Sequence, residues 1–349
     1  MSEYEKYVGF GELKSSGSPR VDEIEALLVH IETQVKRTIR KPGIVEDLLK
    51  QIGHKRGEVS SGNYNSDFMK DSDIRIFRSA KAFLYKESPE EISDEMITRY
   101  LSPPVSKDDN NRIEDVFKKC LYAAMNSNIN AKVVGASLGG SLEPLSNILA
   151  GFAPRGVVAD YGDDFALLME KVVTLIESED EINTSPKSSW PKFCRTILSA
   201  AAFFAQFLDG DEFINWTDGF GTDYRSIPAL PLLLGKEIYG MGFTIACDFL
   251  IELGLENYCT VDTTVKSMLT SSGLLHPGLD GYQTLKCISR IAQHNDTTPY
   301  QVDKVFWLIG TGYFYNHLDL GKQNSGARLK KLFLDLIGME KQSETQTEA

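Results

Sequence analysis

A chain of 349 residues with 42% hydrophobic and 25% charged residues has the composition of a globular protein with a substantial core. No run of about 18 apolar residues occurs, and the N-terminus lacks the apolar segment of a secretion signal, so we expect neither a membrane span nor secretion. The net charge of −12 argues against a general nucleic-acid coat. A local basic face would still suffice for binding DNA.

The cysteine pattern indicates a reducing compartment. Five cysteines are scattered along the chain without a CxxC pair. This fits free thiols in a cytoplasmic protein better than a disulfide framework or a structural zinc site. We therefore expect a cytoplasmic protein and assign no certain metal ligands.

The beginning of the chain predicts a long amphipathic helix. In VDEIEALLVHIETQVKRTIR, residues 21–40, the apolar side chains form one helical stripe, and Pro42-Gly43 ends it. Two basic segments, Lys36–Lys41 and Lys322–Lys331, could each supply a DNA-binding face. A solvated helix surface is the plainer interpretation of both.

The segment SPEEISDEMITRYL predicts another helix. Ser88 is the expected N-cap, with Pro89 in the first turn and Glu91 completing a capping box. A double proline ends this helix, and the polar run over 106–111 follows as the best candidate for a boundary. We therefore predict a helical N-terminal extension over residues 1–107.

The remainder predicts an all-α fold. Amphipathic patterns and stop signals place helices near 112–126, 163–178, 191–208, 229–238, 243–253, 263–272, 280–293, 299–309 and 326–337. Thr298-Pro299 has the pattern of a capped helix start, and Gly338 that of a stop. AKVVGA, from Ala131, is the best candidate for a strand. The tail over 339–349 is expected to be disordered.

The stretch YGMGFTIA, Tyr239–Ala246, predicts a tight turn between two helices. A short apolar helix meets Gly240-Met241-Gly242, and a second helix begins at once. The glycines permit positive φ and a close approach by another backbone. The start of the second helix presents free N–H groups that suit a phosphate. A plain structural turn is the alternative.

A second motif, TVDTT, places Asp262 at the start of a further helix. Asp at such a position commonly serves as an N-cap, here accepting hydrogen bonds from the amides of Thr264 or Val265. The alternative is a catalytic carboxylate. The two roles are compatible, because the helix N-terminus keeps the carboxylate ionised and fixes its direction.

In their order and separation, these motifs resemble those of the helix-hairpin-helix superfamily of DNA glycosylases, the relatives of endonuclease III, MutY and the 8-oxoguanine and alkyladenine glycosylases. Thr244 stands where that family's lysine stands, eighteen residues before Asp262. The resemblance covers about Asn111–Gly338, including a late helix in VDKVFWLIGTGYFY. It therefore implies a helix-hairpin-helix glycosylase-like domain over residues 108–338.

The resemblance implies a function for each matching residue. Asp262 would be the catalytic carboxylate, while Gly240, Gly242, Thr244 and Thr264 would bind the DNA backbone. A threonine hydroxyl cannot form the imine that the family's lysine forms with the sugar. We therefore expect a monofunctional DNA N-glycosylase, a hydrolase of N-glycosyl bonds without lyase activity. It would flip out a damaged or modified base and leave an abasic site.

The resemblance also limits the cofactors and partners. Only Cys287 follows Asp262, so the iron–sulfur cluster of some members cannot be built. No cofactor is required, and the candidate ion is a monovalent cation, Na⁺ or K⁺, held by carbonyls of the turn. The expected partner is DNA, with no membrane, for a monomer located on DNA in the cytoplasm. Repair and defence against foreign modified DNA both fit.

The resemblance places base-contacting groups before the hairpin, in DGDEFINWTDGFGTDYRS. Trp216, Phe220 and Tyr224 are the stacking candidates, and Asp218 or Asp223 could accept a hydrogen bond from an exocyclic amine. Tyr239 and Phe243 flank the hairpin and could line the same pocket. The alternative is an acidic surface loop anchored by its aromatic residues.

Two other functions stay open from the sequence. A non-catalytic helix-hairpin-helix module would bind DNA and use Asp262 only as a cap. A helical protein–protein scaffold is favoured by the net charge of −12.

Overall fold

The computed structural model describes residues 66–103, 110–127, 131–176, 182–316 and 328–338. Every regular element in these ranges is a helix, which confirms the predicted all-α class. No helix among them is long and apolar enough to cross a membrane. The helix predicted over 21–40, the basic segment Lys36–Lys41 and the tail over 339–349 lie outside the described residues.

The chain divides into two compact units, Met1–Asp71 and Ser72–Ala349. The predicted boundary lies at 107. The second unit therefore includes about 35 residues of the predicted extension. Asn110, at the end of the polar run, is fully buried and donates a hydrogen bond to the Leu253 carbonyl over 2.8 Å. The end of that run is therefore part of the core of the second unit.

Thirteen α-helices are numbered here in chain order over the described residues. The first seven are α1 Ser66–Glu87, α2 Asp94–Tyr100, α3 Ile113–Met125, α4 Pro154–Tyr161, α5 Phe165–Ile176, α6 Ser189–Phe204 and α7 Gly210–Asp218. The others are α8 Ala229–Glu237, α9 Phe243–Glu252, α10 Thr263–Ser271, α11 Gly281–His294, α12 Pro299–Thr311 and α13 over 328–338. Short 3₁₀ turns lie at Glu143–Leu145 and Ala150–Phe152.

Side-chain caps fix several of the helix starts. Thr298 caps α12 ahead of Pro299, as predicted. The predicted start at Ser88 is wrong, because α2 begins at Asp94 with Ser93 as its cap. The Ser88 hydroxyl instead donates to the Leu84 carbonyl at the end of α1. A serine followed by proline therefore marks the end of one helix here rather than the start of the next.

The structure corrects one further local prediction, the strand, and shows that part of the acidic stretch before the hairpin is helical. The strand predicted in AKVVGA is wrong, because Ala131–Gly135 forms a π-helical turn. The acidic stretch at 209–218 is a helix, α7, which begins where the Asp209 carboxylate accepts a hydrogen bond from the Glu212 amide. The short length of both segments leaves no periodic signal long enough to separate helix from strand or loop.

The core of the second unit surrounds α6, which packs against α3, α4, α5 and α8. Its centre is a set of fully buried phenylalanines, one each from α3, α6, α7 and α9. The Phe204 ring contacts the other three. Its centroid lies 6.0 Å from that of Phe117, 5.3 Å from that of Phe213 and 5.9 Å from that of Phe249. This packing holds α9, which follows the predicted hairpin, against the rest of the core.

A second aromatic contact joins the late helices to α1. The Phe77 ring lies 6.4 Å from Phe306 of α12, and Phe83 lies 5.6 Å from Phe333 of α13. The helix α12 also packs against α10 and α11. The helix α10, which Asp262 caps, is therefore held in place by α12, and α12 is in turn packed against α1.

Candidate functional site

The predicted hairpin is present between α8 and α9. Gly240 has a φ of 76°, which L-residues rarely adopt, and the Met241 amide donates to the Ile238 carbonyl over 3.2 Å. Gly242 is different, because its φ of −72° and ψ of 163° are ordinary for a helix N-cap. Only the first glycine of the turn is therefore required by backbone conformation.

Two hydroxyl groups of α6 hold the turn in place. The Thr196 hydroxyl donates to the Tyr239 carbonyl over 2.8 Å, and the Tyr239 amide donates to the Ser199 hydroxyl over 2.9 Å. A Cβ atom on Gly240 would lie 3.2 Å from the Thr196 hydroxyl. Sequence reasoning missed this clamp, for which the signal was a pair of hydroxyl residues three apart on a largely apolar helix.

Gly235, in the last turn of α8, is the glycine most tightly enclosed by the hairpin. A Cβ atom there would lie 2.8 Å from the carbonyl oxygen of Met241. Because that neighbour is backbone, the helix and the turn would have to move apart. The glycine in LLLGKE therefore has a packing role that the sequence did not reveal.

Gly235→Ala is expected to displace the turn, with a loss of stability of about 1–3 kcal/mol, and to weaken about 10-fold or more the DNA binding that the family resemblance implies for the hairpin. Gly338→Ala, at the end of α13, is the matched control, because no atom lies within 4 Å of its added Cβ. Fluorescence anisotropy with a labelled duplex measures binding, and urea denaturation measures stability. Equal behaviour of the two variants would contradict this description of the hairpin.

The first turn of α9 is open. Amides in the first turn of a helix have no intrahelical partner, and Gly242 contributes no capping side chain. Gly242 and Thr244 are exposed. The amides and the positive end of the helix dipole therefore form a surface that suits a phosphate group.

Three cationic residues lie in the two helices that hold this turn. Lys192 and Arg195 flank Thr196 on α6, and Lys236 lies in the last turn of α8. The Arg195 guanidinium lies over the Phe165 ring at 4.2 Å and is 5.9 Å from the Tyr239 ring. Arg195 therefore brings a positive charge beside the turn, on a chain whose net charge is −12.

The starts of three helices come together beside the hairpin. A Cβ atom on Gly281, the first residue of α11, would lie 3.1 Å from the Phe243 ring and 3.9 Å from Val261. The Phe243 and Tyr282 rings are 6.3 Å apart. Because Val261 immediately precedes Asp262, the start of α10 is brought next to the starts of α9 and α11.

Asp262 is the N-cap of α10, as predicted. Its Oδ1 accepts a hydrogen bond from the Val265 amide over 2.7 Å, and its side chain is half-buried. The preceding loop is fixed to α9, because the Thr260 hydroxyl donates to Asp248 Oδ1 over 3.0 Å. Both contacts set the direction of the Asp262 carboxylate.

Thr264, two residues further on, is half-buried against α12. A Cβ atom on Gly310 would lie 2.6 Å from the Thr264 methyl group. The methyl group of Thr264 therefore packs against a glycine of α12. Its predicted role in binding the DNA backbone stays a prediction.

Two further carboxyl groups lie near Asp262, and sequence reasoning missed both. Asp303 of α12 is only 1% exposed, and its pKa is well above the usual range because of burial and the nearby charges of Asp262 and Asp248, against the effect of Lys304. Burial also raises the pKa of Asp248, while its bond from Thr260 and the charge of Lys304 lower it. The Asp-Lys pair inside the apolar run VDKVFW was the available signal.

The predicted base-contacting residues separate into two groups. Tyr239, which is 45% exposed, and Phe243 lie at the hairpin. Trp216 instead packs among phenylalanines of α6 and α7, 6.0 Å from Phe203 and 5.8 Å from Phe213. Trp216 thus belongs to an aromatic cluster that also supports the core, and its role in stacking stays a prediction.

Asp218 and Tyr224 follow Trp216 in the same segment of the chain. Asp218 acts electrostatically on Tyr258, and Tyr224 acts on Arg290 in the middle of α11. The neighbouring Asp223 pairs with Arg225, whose hydrogen bonds lower the pKa of that carboxyl to about 2. These interactions place the segment beside Tyr258 and α11, and the predicted base pocket stays a prediction.

The carbonyl groups of the turn were the expected ligands of a monovalent cation. Those of Ile238, Tyr239 and Gly242 accept hydrogen bonds from Met241, Thr196 and Ala246. No group of three or more His, Cys, Asp or Glu side chains among the described residues could hold a metal ion. The monovalent cation at the turn stays a prediction.

All five cysteines are free and buried. Burial raises the pKa of Cys194 to about 12 and, against the effect of Arg290, that of Cys287 to about 11. These thiols therefore stay protonated and unreactive at neutral pH.

Comparison of the chain with profiles of known protein families, with curated proteins and with solved structures finds no match.

Proposed function

We propose that this chain is a monofunctional DNA N-glycosylase that excises a modified base. The observation that supports this best is the arrangement around the hairpin. The open first turn of α9 adjoins the start of α10, where the Asp262 carboxylate is held in a fixed direction. A phosphate-binding surface and an oriented carboxylate are the two parts that cleavage of an N-glycosidic bond in DNA requires.

In this proposal the hairpin binds the DNA backbone beside the target nucleotide. The amides of Gly240 and Gly242 and the hydroxyl of Thr244 contact a phosphate group. Lys192, Arg195 and Lys236 add long-range attraction. Because this attraction is electrostatic, binding weakens steeply as the salt concentration rises.

Asp262 then acts at the sugar. Departure of the base develops positive charge on the deoxyribose, which a carboxylate beneath the ring stabilises. The same carboxylate orients or deprotonates the attacking water. Among the described residues only the Val265 amide bonds to this carboxylate, through Oδ1, so Oδ2 is available for the sugar and the water.

The absence of a lysine at position 244 supports a monofunctional enzyme. Thr244 is exposed at the first turn of α9, where its hydroxyl cannot form a Schiff base with the sugar. The reaction therefore stops at an abasic site in an intact strand. The substrate we favour is a specialised modified base in DNA, processed by a cytoplasmic monomer in repair or in defence against foreign DNA.

A non-catalytic DNA-binding module is the second candidate. It is favoured by one observation, that Asp262 Oδ1 already serves as the cap of α10. Such a module would bind DNA in a salt-sensitive way and release no base. A protein–protein scaffold would not bind DNA even at low salt.

The test is incubation of wild type and Asp262→Asn with duplexes that contain a panel of modified bases, followed by hot alkali. We expect alkali-labile sites with wild type on at least one modified base and none with Asp262→Asn. No cleavage on any substrate, together with salt-sensitive binding, would favour the module. Strand breaks without alkali would contradict the monofunctional assignment and direct attention to Lys236 and Lys266.

A further inference from the structure

A cavity of about 380 Å³ lies between α1 and the turn that joins α11 to α12. Phe77, Arg78 and Lys81 of α1 line one side of it, and Asp296 and Gln301 are among the residues that line the other. This volume is within the range of sites that hold small molecules. None of these residues belongs to the hairpin or to the start of α10.

Two cationic side chains of α1 line the cavity. Arg78 and Lys81 are one helical turn apart and therefore share a face of the helix. Within the described part of the chain, neither side chain makes an ion pair or a hydrogen bond. The neighbouring Phe77 is 3% exposed, and its ring lies 6.4 Å from Phe306 of α12. The two charges are therefore carried by a helix that the core holds in place.

The other side of the cavity adds an uncharged donor. The Thr297 hydroxyl donates to Gln301 Oε1 over 2.8 Å, which leaves Gln301 Nε2 as a donor that makes no hydrogen bond to the described residues. The backbone amides of Tyr300 and Gln301 are already used, because they donate to the Glu256 carbonyl and the Thr298 hydroxyl. The available donors of the cavity are therefore side chains and not the start of α12.

Asp296 provides an acceptor beside these donors. It lines the cavity, it is exposed, and its carboxylate makes no ion pair with Arg78 or Lys81. A carboxylate only accepts hydrogen bonds, and the hydroxyl groups of a sugar are suitable donors for it. The cavity therefore combines two positive charges and an amide donor with one acceptor for hydroxyl groups.

The cavity and the proposed catalytic site lie toward opposite ends of α12. Gln301 is nine residues before Gly310, which corresponds to about 13 Å along the helix axis. Gly310 is the residue that packs against Thr264 of α10. Asn295, which also lines the cavity, donates to the Asp73 carbonyl over 3.1 Å. A ligand in the cavity would therefore contact the place where α11 and α12 join α1.

We propose that this cavity binds a small phosphorylated sugar, with its phosphate at Arg78 and Lys81 and a sugar hydroxyl at Asp296. A phosphate monoester carries a charge near −2 at neutral pH and several acceptor oxygens, which match the two cations and Gln301 Nε2. The phosphates of duplex DNA are fixed in a continuous backbone, whereas a terminal phosphate enters a cavity. This inference goes beyond the proposed glycosylase function and does not depend on it.

The test is calorimetric titration of the full chain with ribose 5-phosphate, with inorganic phosphate and ribose for comparison. Wild type should bind ribose 5-phosphate with a Kd of about 1 mM or tighter, and about 5-fold or more tightly than inorganic phosphate. Ribose, which lacks the charge, should not bind measurably. The bound ligand should also raise the Tm, because it binds only the folded chain.

Four variants test the assigned contacts. Arg78→Met and Lys81→Met should each weaken the binding of ribose 5-phosphate by about 10-fold or more, since each removes one charged donor. Gln301→Glu keeps the acceptor for Thr297 but replaces the free donor with a negative charge, so it should abolish binding. Asp296→Asn should reduce the preference for ribose 5-phosphate over inorganic phosphate.

Lys86→Met is the matched control and should bind as wild type does. Lys86 is on the same helix but does not line the cavity, and its ammonium lies 3.7 Å from the neighbouring Glu87. Far-ultraviolet circular dichroism establishes that each variant is folded. No binding of ribose 5-phosphate by wild type, a Kd equal to that of inorganic phosphate, or unchanged binding in folded Lys81→Met would overturn the inference.

A contact with DNA is the other outcome that the experiment distinguishes. Weaker binding of a labelled duplex by Arg78→Met, without any binding of ribose 5-phosphate by wild type, would assign these cations to the DNA backbone and overturn the inference. Base excision that depends on Asp262 is measured separately. Its presence or absence decides the proposed function and leaves the result for the cavity unchanged.

Discussion

Asp262→Asn is expected to lower the single-turnover rate of base excision by roughly 10²- to 10⁴-fold, the range in which an oriented charged or acid–base group contributes to catalysis. The amide has the shape of the carboxylate but carries no negative charge, so it cannot stabilise the positive charge on the sugar. Asn is also as good an N-cap as Asp, so α10 should stay folded. The rate is measured with excess protein on a duplex that contains the preferred base.

Asp209→Asn is the matched control for this prediction. Asp209 caps α7 through the same kind of bond, with Oδ1 accepting from the Glu212 amide over 2.8 Å, but it lies outside the proposed site. We expect its excision rate to stay within about twofold of wild type, since an exposed cap substitution changes stability only slightly. An equal loss of rate in both variants would show that capping, and not chemistry, explains Asp262.

The largest expected loss of stability comes from Asp73, which lies in α1 with its side chain 1% exposed. Its carboxylate accepts hydrogen bonds from Arg290 Nε over 2.8 Å and Nη2 over 3.0 Å, and His294 Nδ1 lies 2.7 Å away. Asp73→Ala leaves the Arg290 guanidinium without its partner in a largely buried position. We expect the free energy of unfolding to fall by about 3–5 kcal/mol, as for other buried pairs that lose one member.

Urea denaturation followed by circular dichroism measures this loss. The control is Arg225→Ala, which breaks the exposed pair between Arg225 and Asp223. Exposed pairs contribute little because water screens them, so no measurable shift of the midpoint is expected. A midpoint for Asp73→Ala equal to that of wild type would contradict the view that this pair fastens α1 to α11.

The sequence predicted best those features that depend on neighbouring residues. The Thr298-Pro299 start, the Asp262 cap and most helix ranges after 111 follow from local periodicity and capping chemistry, and the structure confirms them. Ser88 shows the limit of such rules. Its hydroxyl can serve the end of α1 as well as the start of α2, and only the packing of the two helices decides which.

Features that join distant segments were not predicted. Asp73 and Arg290 are 217 residues apart, and the clamp of Thr196 on Tyr239 spans 43. In both cases, the sequence around one residue contains no pattern that identifies the other residue as its partner. His294 illustrates the consequence, because its ring lies against Asp73 of α1, a partner 221 residues away. The sequence likewise did not show which residues surround the charged pair Asp303 and Lys304 in the apolar run of α12. The structure places Asp303 near Asp262, at the start of α10.

The most direct test of the glycosylase proposal measures free base and strand breaks in one reaction. Wild type is incubated with a duplex that contains the modified base it prefers, the released base is quantified by mass spectrometry, and the strand is examined before and after alkali. We predict one free base for each alkali-labile site, an intact strand before alkali, and neither product with Asp262→Asn. Absence of any free base, or release that is unchanged in Asp262→Asn, would contradict the account.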